Sequence, residues 1–211
     1  MEASSHIAVS RLWLAGFALL ATSGCSVMKV ANLDETGYYP GALGKATVVL
    51  NKPLDLDSRR DVIVVADSDY ERGQVRNIGF FGEVISIPDL ELKIIQAGIT
   101  DKVPSVRDRI GMSKAAKHWK PFLWLRYHSR TDDNGKRYAQ FILTDPATTE
   151  EYFITETYLD YAWSGVNDQY NWYPMYNTFI DYIKANSKNY TPPPAPAKPK
   201  GTAPKKRKNA L

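Results

Sequence analysis

The sequence has a single cysteine, Cys25, among its 211 residues, which excludes a disulfide within the chain. Of its three histidines, only His118 and His128 follow Cys25, and neither has a carboxylate partner at a fixed spacing. We therefore expect no metal site and no cofactor. The glycine patterns that cradle phosphates are missing, as is the Gly-x-Ser-x-Gly elbow of esterases. An enzyme is not expected, and a hydrolase with a dispersed site stays open as an alternative.

Acidic residues are missing from the last part of the chain, whereas the rest of the chain is balanced. Residues 191–211 contain six bases and no acid, and residues 26–190 contain 20 bases and 22 acids. The net charge of +4 is therefore a property of the C-terminal segment. A basic groove on the domain, as nucleic-acid binders need, is not indicated, and no nucleic-acid partner is expected.

Long hydrophobic runs are also missing, since the apolar stretch at 12–24 has only 13 residues. Such a stretch is too short to span about 30 Å of hydrocarbon and is typical of a signal peptide. Arg11 precedes it, and Thr22-Ser23-Gly24-Cys25 ends it. Small residues before a cysteine resemble the lipobox of bacterial lipoproteins, in which the cysteine thiol accepts palmitate-type acyl chains. Thr22 departs from that pattern, because an aliphatic residue usually stands there.

The resemblance to a lipobox implies that residues 1–24 are a signal peptide and that Cys25 becomes the lipidated first residue. Ser26 follows Cys25. In the sorting pattern of enteric-type bacteria, a residue other than Asp at this place implies the outer membrane. An ordinary secretory signal cleaved near Ala21-Thr22-Ser23, or an uncleaved anchor, are the alternatives. Residues 25–44 are then expected to be a lipidated tether.

Residues 45–188 are predicted to form one α+β domain with a mixed sheet. A continuous apolar run at 61–66 is typical of a buried strand. A capping-box spacing at Ser68 predicts a helix that runs to about residue 78, and a second one at Ser86 predicts a helix over 87–97. The strand at 61–66, the first of these helices and a strand at 80–85 form a βαβ front half. The other predicted elements are a strand at 46–50, a short helix at 113–119, an antiparallel meander of strands at 122–127, 137–144 and 151–157, and a helix opening at Pro174 and packed on the sheet.

Several segments of this domain resemble uncharacterised bacterial lipoproteins. They are Ile78-Gly79-Phe80-Phe81-Gly82-Glu83-Val84, Pro88-Asp89-Leu90-Glu91, Ala115-Ala116-Lys117, Pro121-Phe122-Leu123 and Thr144-Asp145-Pro146-Ala147-Thr148. Such domains look like the N-terminal domain of TolB and the lipoprotein activators of cell-wall synthases. The resemblance covers roughly residues 45–187 and implies a binding or scaffolding module in the envelope. It carries no site residue over to this chain.

Aromatic residues are concentrated between residues 158 and 182, where nine occur in 25 positions. The candidate binding residues are the aromatic and polar side chains Trp163, Asn167, Asp168, Trp172 and Tyr173. Aromatic rings with polar tips suit a protein interface, and rings beside amides also suit sugars. Packing in the core under the last helix is the third interpretation.

The C-terminal segment 189–211 is rich in proline and lysine, and such a composition predicts a disordered tail. Its cations Lys205, Lys206, Arg207 and Lys208 resemble a nuclear import signal, which conflicts with the secretory lead. In an envelope they would contact anionic groups of the wall, of lipopolysaccharide or of an acidic partner. A solvated tail without function is the alternative.

Together, these features predict a non-enzymatic outer-membrane lipoprotein on the periplasmic side. Its domain would bind an envelope protein partner, or serve as a scaffold, in envelope assembly or maintenance. The alternative function is a lipoprotein that binds cell-wall glycan through the aromatic loop 163–173.

Overall fold

A computed structural model describes residues 30–160 and 167–195 of the chain. The strands are β1 (Thr47–Asn51), β2 (Val62–Val65), β3 (Glu83–Ser86), β4 (Leu123–Thr131), β5 (Arg137–Asp145) and β6 (Glu150–Tyr158). The α-helices are α1 (Asp69–Asn77), α2 (Ile87–Gln96), α3 (Arg109–His118) and α4 (Tyr173–Asn186). A π-helical turn at Asp168–Trp172 leads directly into α4.

The strands form a six-stranded mixed sheet in the order β1-β6-β5-β4-β2-β3. Strand β2 is parallel to β3 and to β4, whereas β4, β5, β6 and β1 pair in antiparallel fashion. The parallel pairs need crossovers, which α1 supplies between β2 and β3. The α+β class, the βαβ front half, the meander and the closing helix are thus confirmed.

Strand β2 lies between two hydrophobic clusters, one on each face of the sheet. Ile63 and Val65 face the cluster under α1 and α4, and Val62 and Val64 face the cluster under α2 and α3. Burial on both faces explains the continuous apolar run of this strand. The helices therefore cover both sides of the parallel part of the sheet.

The predicted helix starts at the two serines are confirmed. The Ser68 Oγ accepts a hydrogen bond from the Glu71 N–H, and Ser86 and Asp89 form a reciprocal capping box. The predicted start at Ser113 is wrong, because Asp108 caps α3 by accepting from the Gly111 N–H. A single aspartate cap without an acid three residues on carries less sequence signal than a capping box.

Helices α1, α2 and α4 each bury an apolar face. Val75 and Ile78 are buried at α1, and Tyr176, Phe179, Ile180 and Ile183 are buried along α4. In α2, Leu90 and Ile94 are buried, whereas Ala97 is exposed. Ala97 is the C-cap residue, one position after the last residue of α2, so the helix periodicity no longer directs its side chain to the core.

The packed domain extends beyond the boundaries at 45 and 188. Leu33 and Tyr39, from the segment expected to be a tether, are buried in the cluster under α1 and α4. The Tyr39 hydroxyl donates to the buried Gln74 carbonyl oxygen, and its backbone N–H donates to Asn177 Oδ1 at 2.8 Å. Beyond α4, Tyr190 packs edge-on against Phe80 with ring centres 5.8 Å apart. These residues pack against the core because each is a large apolar side chain in a segment that is otherwise polar.

Within residues 30–160 and 167–195, no helix has the length and apolar character needed to cross a membrane. Cys25, Trp163 and the cations at 205–208 lie outside the described residues.

Candidate partner-binding surface

The polar residues of the predicted loop build the π-helical turn before α4. The Asn167 Oδ1 accepts from the Tyr170 N–H at 3.0 Å, and the Asn167 N–H donates to Asn171 Oδ1 at 3.0 Å. The buried Asn171 then donates from Nδ2 to the Tyr158 carbonyl oxygen at 3.1 Å. The turn is therefore tied to the end of β6 through amide side chains.

Asp168 connects this turn to the start of α1. Its carboxylate accepts from the Tyr70 hydroxyl at 2.6 Å and from the Tyr173 hydroxyl at 3.5 Å. Burial, followed by the hydrogen bond to Asp168, raises the pKa of Tyr70. Burial is also the main cause that raises the pKa of Tyr173. Both tyrosines therefore stay protonated and keep donating to Asp168.

Trp172 lies in the core rather than on the surface. Only 9% of its surface is exposed, and its ring packs against Tyr127 and Phe141 at centroid distances of 5.3 and 5.9 Å. Tyr173 is half-buried and stacks on Tyr39 at 5.5 Å. Little of either ring is left for a sugar to stack on. The binding role of these residues stays a prediction, with packing as their observed contact.

Four tyrosines lie toward the end of the sheet that holds this turn, which we call the tyrosine end: Tyr127, Tyr138, Tyr158 and Tyr170. Tyr127 contacts Trp172 of the turn on the face of the sheet that α4 covers, whereas Tyr138 and Tyr158 are on the opposite face. Tyr127, Tyr158 and Tyr170 are exposed by 41%, 47% and 42%, and Tyr138 is half-buried. Large rings with polar tips, exposed together, are typical of protein interfaces.

The sheet register places the tyrosines toward one end of the sheet. Strand β4 is parallel to β2, with Val64 opposite Trp124, and it continues to Thr131, well past the end of β2 at Val65. The hairpin between β4 and β5 turns at this end, and Tyr138 of β5 lies opposite Tyr158 of β6. The two rings are 5.7 Å apart. Tyr127 and Tyr138 were missed from the sequence, because only the register places them toward this end, Tyr127 opposite the buried Phe141 on one face and Tyr138 on the other face.

Two cations lie on the rings of the tyrosine end. The Arg130 guanidinium is 4.3 Å from the centre of the Tyr138 ring, and the Lys136 ammonium is 5.9 Å from the centre of the Tyr158 ring. Both distances are within the range of cation–π attraction. The surface therefore combines tyrosine and arginine, the side chains that are enriched among energetically dominant interface residues.

Glu156 holds Arg130 in place above Tyr138. The carboxylate accepts two hydrogen bonds from Arg130, at 2.8 and 2.6 Å, and one from the Gln140 amide at 2.7 Å. The Arg130 hydrogen bonds are the main cause that lowers the pKa of Glu156. A bidentate pair fixes the guanidinium plane, so the cation is presented in a defined orientation.

A groove of about 560 Å³ runs along β3 between α1 and α2. Strand β3 is at the edge of the sheet. Ion pairs line the groove, with Lys93 and Glu83 2.7 Å apart and Arg72 and Asp89 2.9 Å apart. Charged side chains along an edge strand discourage pairing with another strand. The tyrosine end is therefore the better candidate surface.

Among residues 30–160 and 167–195, no group of three or more histidine, cysteine, aspartate or glutamate side chains is placed to hold a metal ion. His118 and His128, at the end of α3 and on β4, are exposed and belong to different elements.

No family model and no curated protein matches this chain. The solved structures that match include the LpoB C-terminal domains of Salmonella enterica and Escherichia coli, both 14% identical, with TM-scores of 0.33 and 0.31. They cover 48% of this chain and 84% and 83% of theirs. A PelC dodecamer from Paraburkholderia phytofirmans matches with 14% identity and a TM-score of 0.29, covering 54% of this chain and 79% of that chain.

Proposed function

We propose that this protein is a non-enzymatic outer-membrane lipoprotein whose periplasmic domain binds an envelope protein through the tyrosine end. The observation that carries the proposal is the exposure of Tyr127, Tyr158 and Tyr170 toward one end of the domain, on both faces of the sheet. Each ring offers a large apolar area at the entropy cost of two side-chain torsions, and each hydroxyl offers a hydrogen bond.

The lipid anchor of the proposal depends on the signal segment. The 13-residue apolar run and the small residues before Cys25 support acylation of its thiol. Acyl chains contribute about 0.8 kcal/mol for each buried CH₂, so several chains on one cysteine anchor the protein permanently. We expect Cys25→Ser to abolish palmitate labelling and to release the protein from membranes. Labelling that persists in this variant would contradict the anchor.

The shape of the domain supports a partner on the side away from the membrane. Helix α4 has 14 residues and a length of about 21 Å. The tyrosine end lies toward the start of α4. The segment around Tyr190 follows the end of α4 and contacts Ile78, the residue after α1. A domain anchored through the segment before Leu33 would thus present its tyrosines to the periplasm.

Photo-crosslinking in cells tests the partner surface. A photoreactive phenylalanine at Tyr158 or Tyr170 is expected to capture the same envelope protein. The matched control positions are Leu92 and Ile95, which are exposed apolar residues on α2. The double change Tyr158→Ala and Tyr170→Ala is expected to lower capture from Tyr127 by roughly tenfold or more, as loss of dominant interface tyrosines does. Identical products from the control positions, or no discrete product, would contradict the proposal.

A further inference from the structure

Positive charge is concentrated in one stretch of the domain, residues 101–120. This stretch contains six bases and two acids, whereas the other residues between 26 and 190 contain 14 bases and 20 acids. The near-neutral domain is therefore divided into a basic part and an acidic part. Helix α3 makes up half of the basic stretch and has three bases and no acid.

Helix α3 buries one face and exposes the other. Its buried side chains pack in the cluster under α2 and α3: Met112, Ala115 and Ala116. Ile110, Lys114 and Lys117 follow one another at spacings of four and three residues, so they share the opposite face, which we call the basic face. Ile110 is 70% exposed, and both lysines are exposed.

The two lysines of the basic face keep their charge available for a ligand. Neither joins an ion pair within the parts of the chain that the structure describes. The arginines before them are paired instead, Arg107 with Glu91 at 3.3 Å and Arg109 with Glu151. Asp108 uses its carboxylate to cap α3. An anion that meets α3 therefore meets free ammonium groups.

Helix α3 lies across the end of the sheet at which β2, β3 and β4 begin. At its amino end, Arg109 contacts Glu151, the second residue of β6. Just past its carboxyl end, the Trp119 ring lies 5.9 Å from the ammonium of Lys93, which pairs with Glu83, the first residue of β3, at 2.7 Å. The register places both of these strand starts at the same end of the sheet.

The chain also enters the domain at this end. The Asn77 side chain, at the carboxyl end of α1 and shortly before β3, donates from Nδ2 to the Ala31 carbonyl oxygen at 2.7 Å. Cys25 is six residues before Ala31, a stretch that spans at most about 22 Å when fully extended. A membrane that holds the acylated Cys25 is therefore close to the end of the sheet that α3 crosses.

The acids near this end are separate from the basic face. Asp34 and Glu35 belong to the incoming segment, whose Leu33 packs in the cluster under α1 and α4. Helix α3 packs on the opposite face of the sheet. Asp61 directly precedes β2, and Asp101 is eight residues before α3. The charge of this end therefore favours contact of an anionic surface with the α3 side.

We propose that the basic face of α3 lies on the anionic phospholipid headgroups of the membrane that the acylated Cys25 enters. The proposal rests on the lipid anchor of the proposed function and adds the side of the domain that meets the lipid. Lysines near an anionic lipid surface are attracted to it, and the exposed Ile110 between them and the amino end of α3 enters the boundary of headgroups and acyl chains. Trp119, which follows α3, is of a type enriched at membrane–water interfaces.

A lipid surface fits the basic face better than an acidic protein does. Lysine is depleted in protein interfaces, whereas tyrosine, tryptophan and arginine are the side chains enriched among their dominant residues. Tyrosine and arginine are found at the tyrosine end, and the basic face has lysine and isoleucine instead. The anchor also keeps headgroups at high effective concentration beside α3, which a free protein partner does not provide.

Fluorescence quenching on vesicles tests the proposal with the mature lipoprotein. Because acylation consumes the only native thiol, His118→Cys supplies a single site for a neutral fluorophore at the exposed end of α3. The control label is placed by Ala185→Cys, which is exposed on α4 across the sheet. The vesicles contain phosphatidylcholine with or without phosphatidylglycerol, and a lipid with a spin-labelled headgroup is the quencher. We expect strong quenching only at residue 118 and only with phosphatidylglycerol.

This quenching should also depend on salt. We expect it to fall as salt rises from about 0.1 M to about 1 M, because the Debye length shrinks from about 10 Å to about 3 Å.

Substitutions on the basic face separate its contribution from the net charge. Each basic residue near an anionic surface strengthens binding about fivefold, so Lys114→Gln with Lys117→Gln is expected to lower the ratio of contacting to free domains about 25-fold. The matched control, Lys45→Gln with Lys188→Gln, removes two exposed lysines outside the basic stretch and should keep the quenching. Ile110→Gln keeps both charges and is expected to weaken the contact about tenfold, because it removes the apolar part.

Several outcomes would overturn the proposal. Equal quenching with neutral vesicles, quenching unchanged by the two lysine substitutions, or equal quenching at residues 118 and 185 would each show that the basic face does not bind anionic headgroups. Quenching that needs an added envelope extract would identify an acidic protein as the ligand. A protein that floats with vesicles without being quenched contradicts this proposal alone, whereas a protein that floats with no vesicle contradicts the lipid anchor as well.

Discussion

At the scale of single residues, the tyrosines of this domain serve two purposes. Tyr39 and Tyr182 are buried and donate their hydroxyls to the carbonyl oxygens of Gln74 and Lys52. Burial raises the pKa of both, so these donors keep their protons. Tyr158 and Tyr170 are exposed instead. A buried tyrosine hydroxyl needs an acceptor, whereas the hydroxyls of Tyr158 and Tyr170 belong to rings that keep much of their surface in solvent.

Trp172 and Tyr170 are close in sequence and differ in burial, so alanine substitutions should separate their roles. We expect Trp172→Ala to lower the free energy of unfolding by about 3–5 kcal/mol, because it empties the space against Tyr127 and Phe141. Tyr170→Ala, at an exposed position, is expected to change it by less than about 0.5 kcal/mol. Urea denaturation of both variants is the measurement.

The same pair of variants bears on glycan binding. If sacculi retain the Tyr170→Ala protein and release a folded Trp172→Ala protein, Trp172 binds sugar and our placement of its ring in the core is contradicted. Equal stability of the two variants would contradict it as well.

At the scale of elements, polar caps decide where the helices of the parallel half begin. Helix α2 begins at Ser86, and Asp89 accepts hydrogen bonds from the Ser86 N–H and Oγ at 2.9 and 2.8 Å. Arg72 of α1 also donates to Asp89 at 2.9 Å, so the cap of one helix holds the other. At α1 the Ser68 Oγ accepts from the Glu71 N–H, whereas the Ser68 N–H donates to the Ala66 carbonyl oxygen and not to a carboxylate.

The cap of α2 should make stability depend on pH. The hydrogen bonds from Ser86, followed by Arg72, lower the pKa of Asp89. A carboxyl with a lowered folded pKa stabilises the fold above its unfolded pKa, about 3.9, and loses that contribution as pH falls through the folded value. We expect Asp89→Asn to cost about 1 kcal/mol at pH 7, as loss of a cap does, and progressively less below about pH 4.

Urea midpoints of the wild type and of Asp89→Asn between pH 7 and pH 2 provide the measurement. The control is Ser68→Ala, which removes an uncharged cap and should cost the same at both ends of this range. A cost of Asp89→Asn that stays constant down to pH 2 would contradict the ionic role of this cap.

At the scale of the whole molecule, the segment before β1 and the segment after α4 meet at the carboxyl end of α1, around Leu33, Asn77, Tyr190 and Pro193. The exposed rings of the tyrosine end lie toward the start of α4, a helix about 21 Å long. Under the proposed function, the lipid anchor and the partner would then be bound at different places and would not compete for one surface.

The extended boundaries of the domain predict a difference between two truncated chains. A chain of residues 45–188 lacks Leu33 and Tyr39, and burial of two such side chains contributes about 3–6 kcal/mol. A domain is stable by only about 5–15 kcal/mol. We expect this chain to melt roughly 10–20 °C below a chain of residues 30–195, as measured by calorimetry. Equal melting temperatures would restore the tether and tail boundaries at 45 and 188.

The sequence by itself determined the α+β class, most of the elements and the proposed address of the protein, because these depend on neighbours in the chain. The caps at Ser68 and Ser86 and the apolar run at 61–66 act within a few residues. The small residues before Cys25 form a local pattern too.

Only the tertiary structure decided which residues share a surface. Trp172 fills the core because β4 and β5 bring Tyr127 and Phe141 against it, and Tyr39 docks because α1 and α4 leave a site between them. Tyr138 meets Tyr158 through the register of β5 and β6. Contacts of this kind join residues far apart in the chain, and pairing and packing choose among many local possibilities. The binding role of the residues named from the sequence therefore stays a prediction, and the exposed rings near them come from strands that periodicity alone does not align.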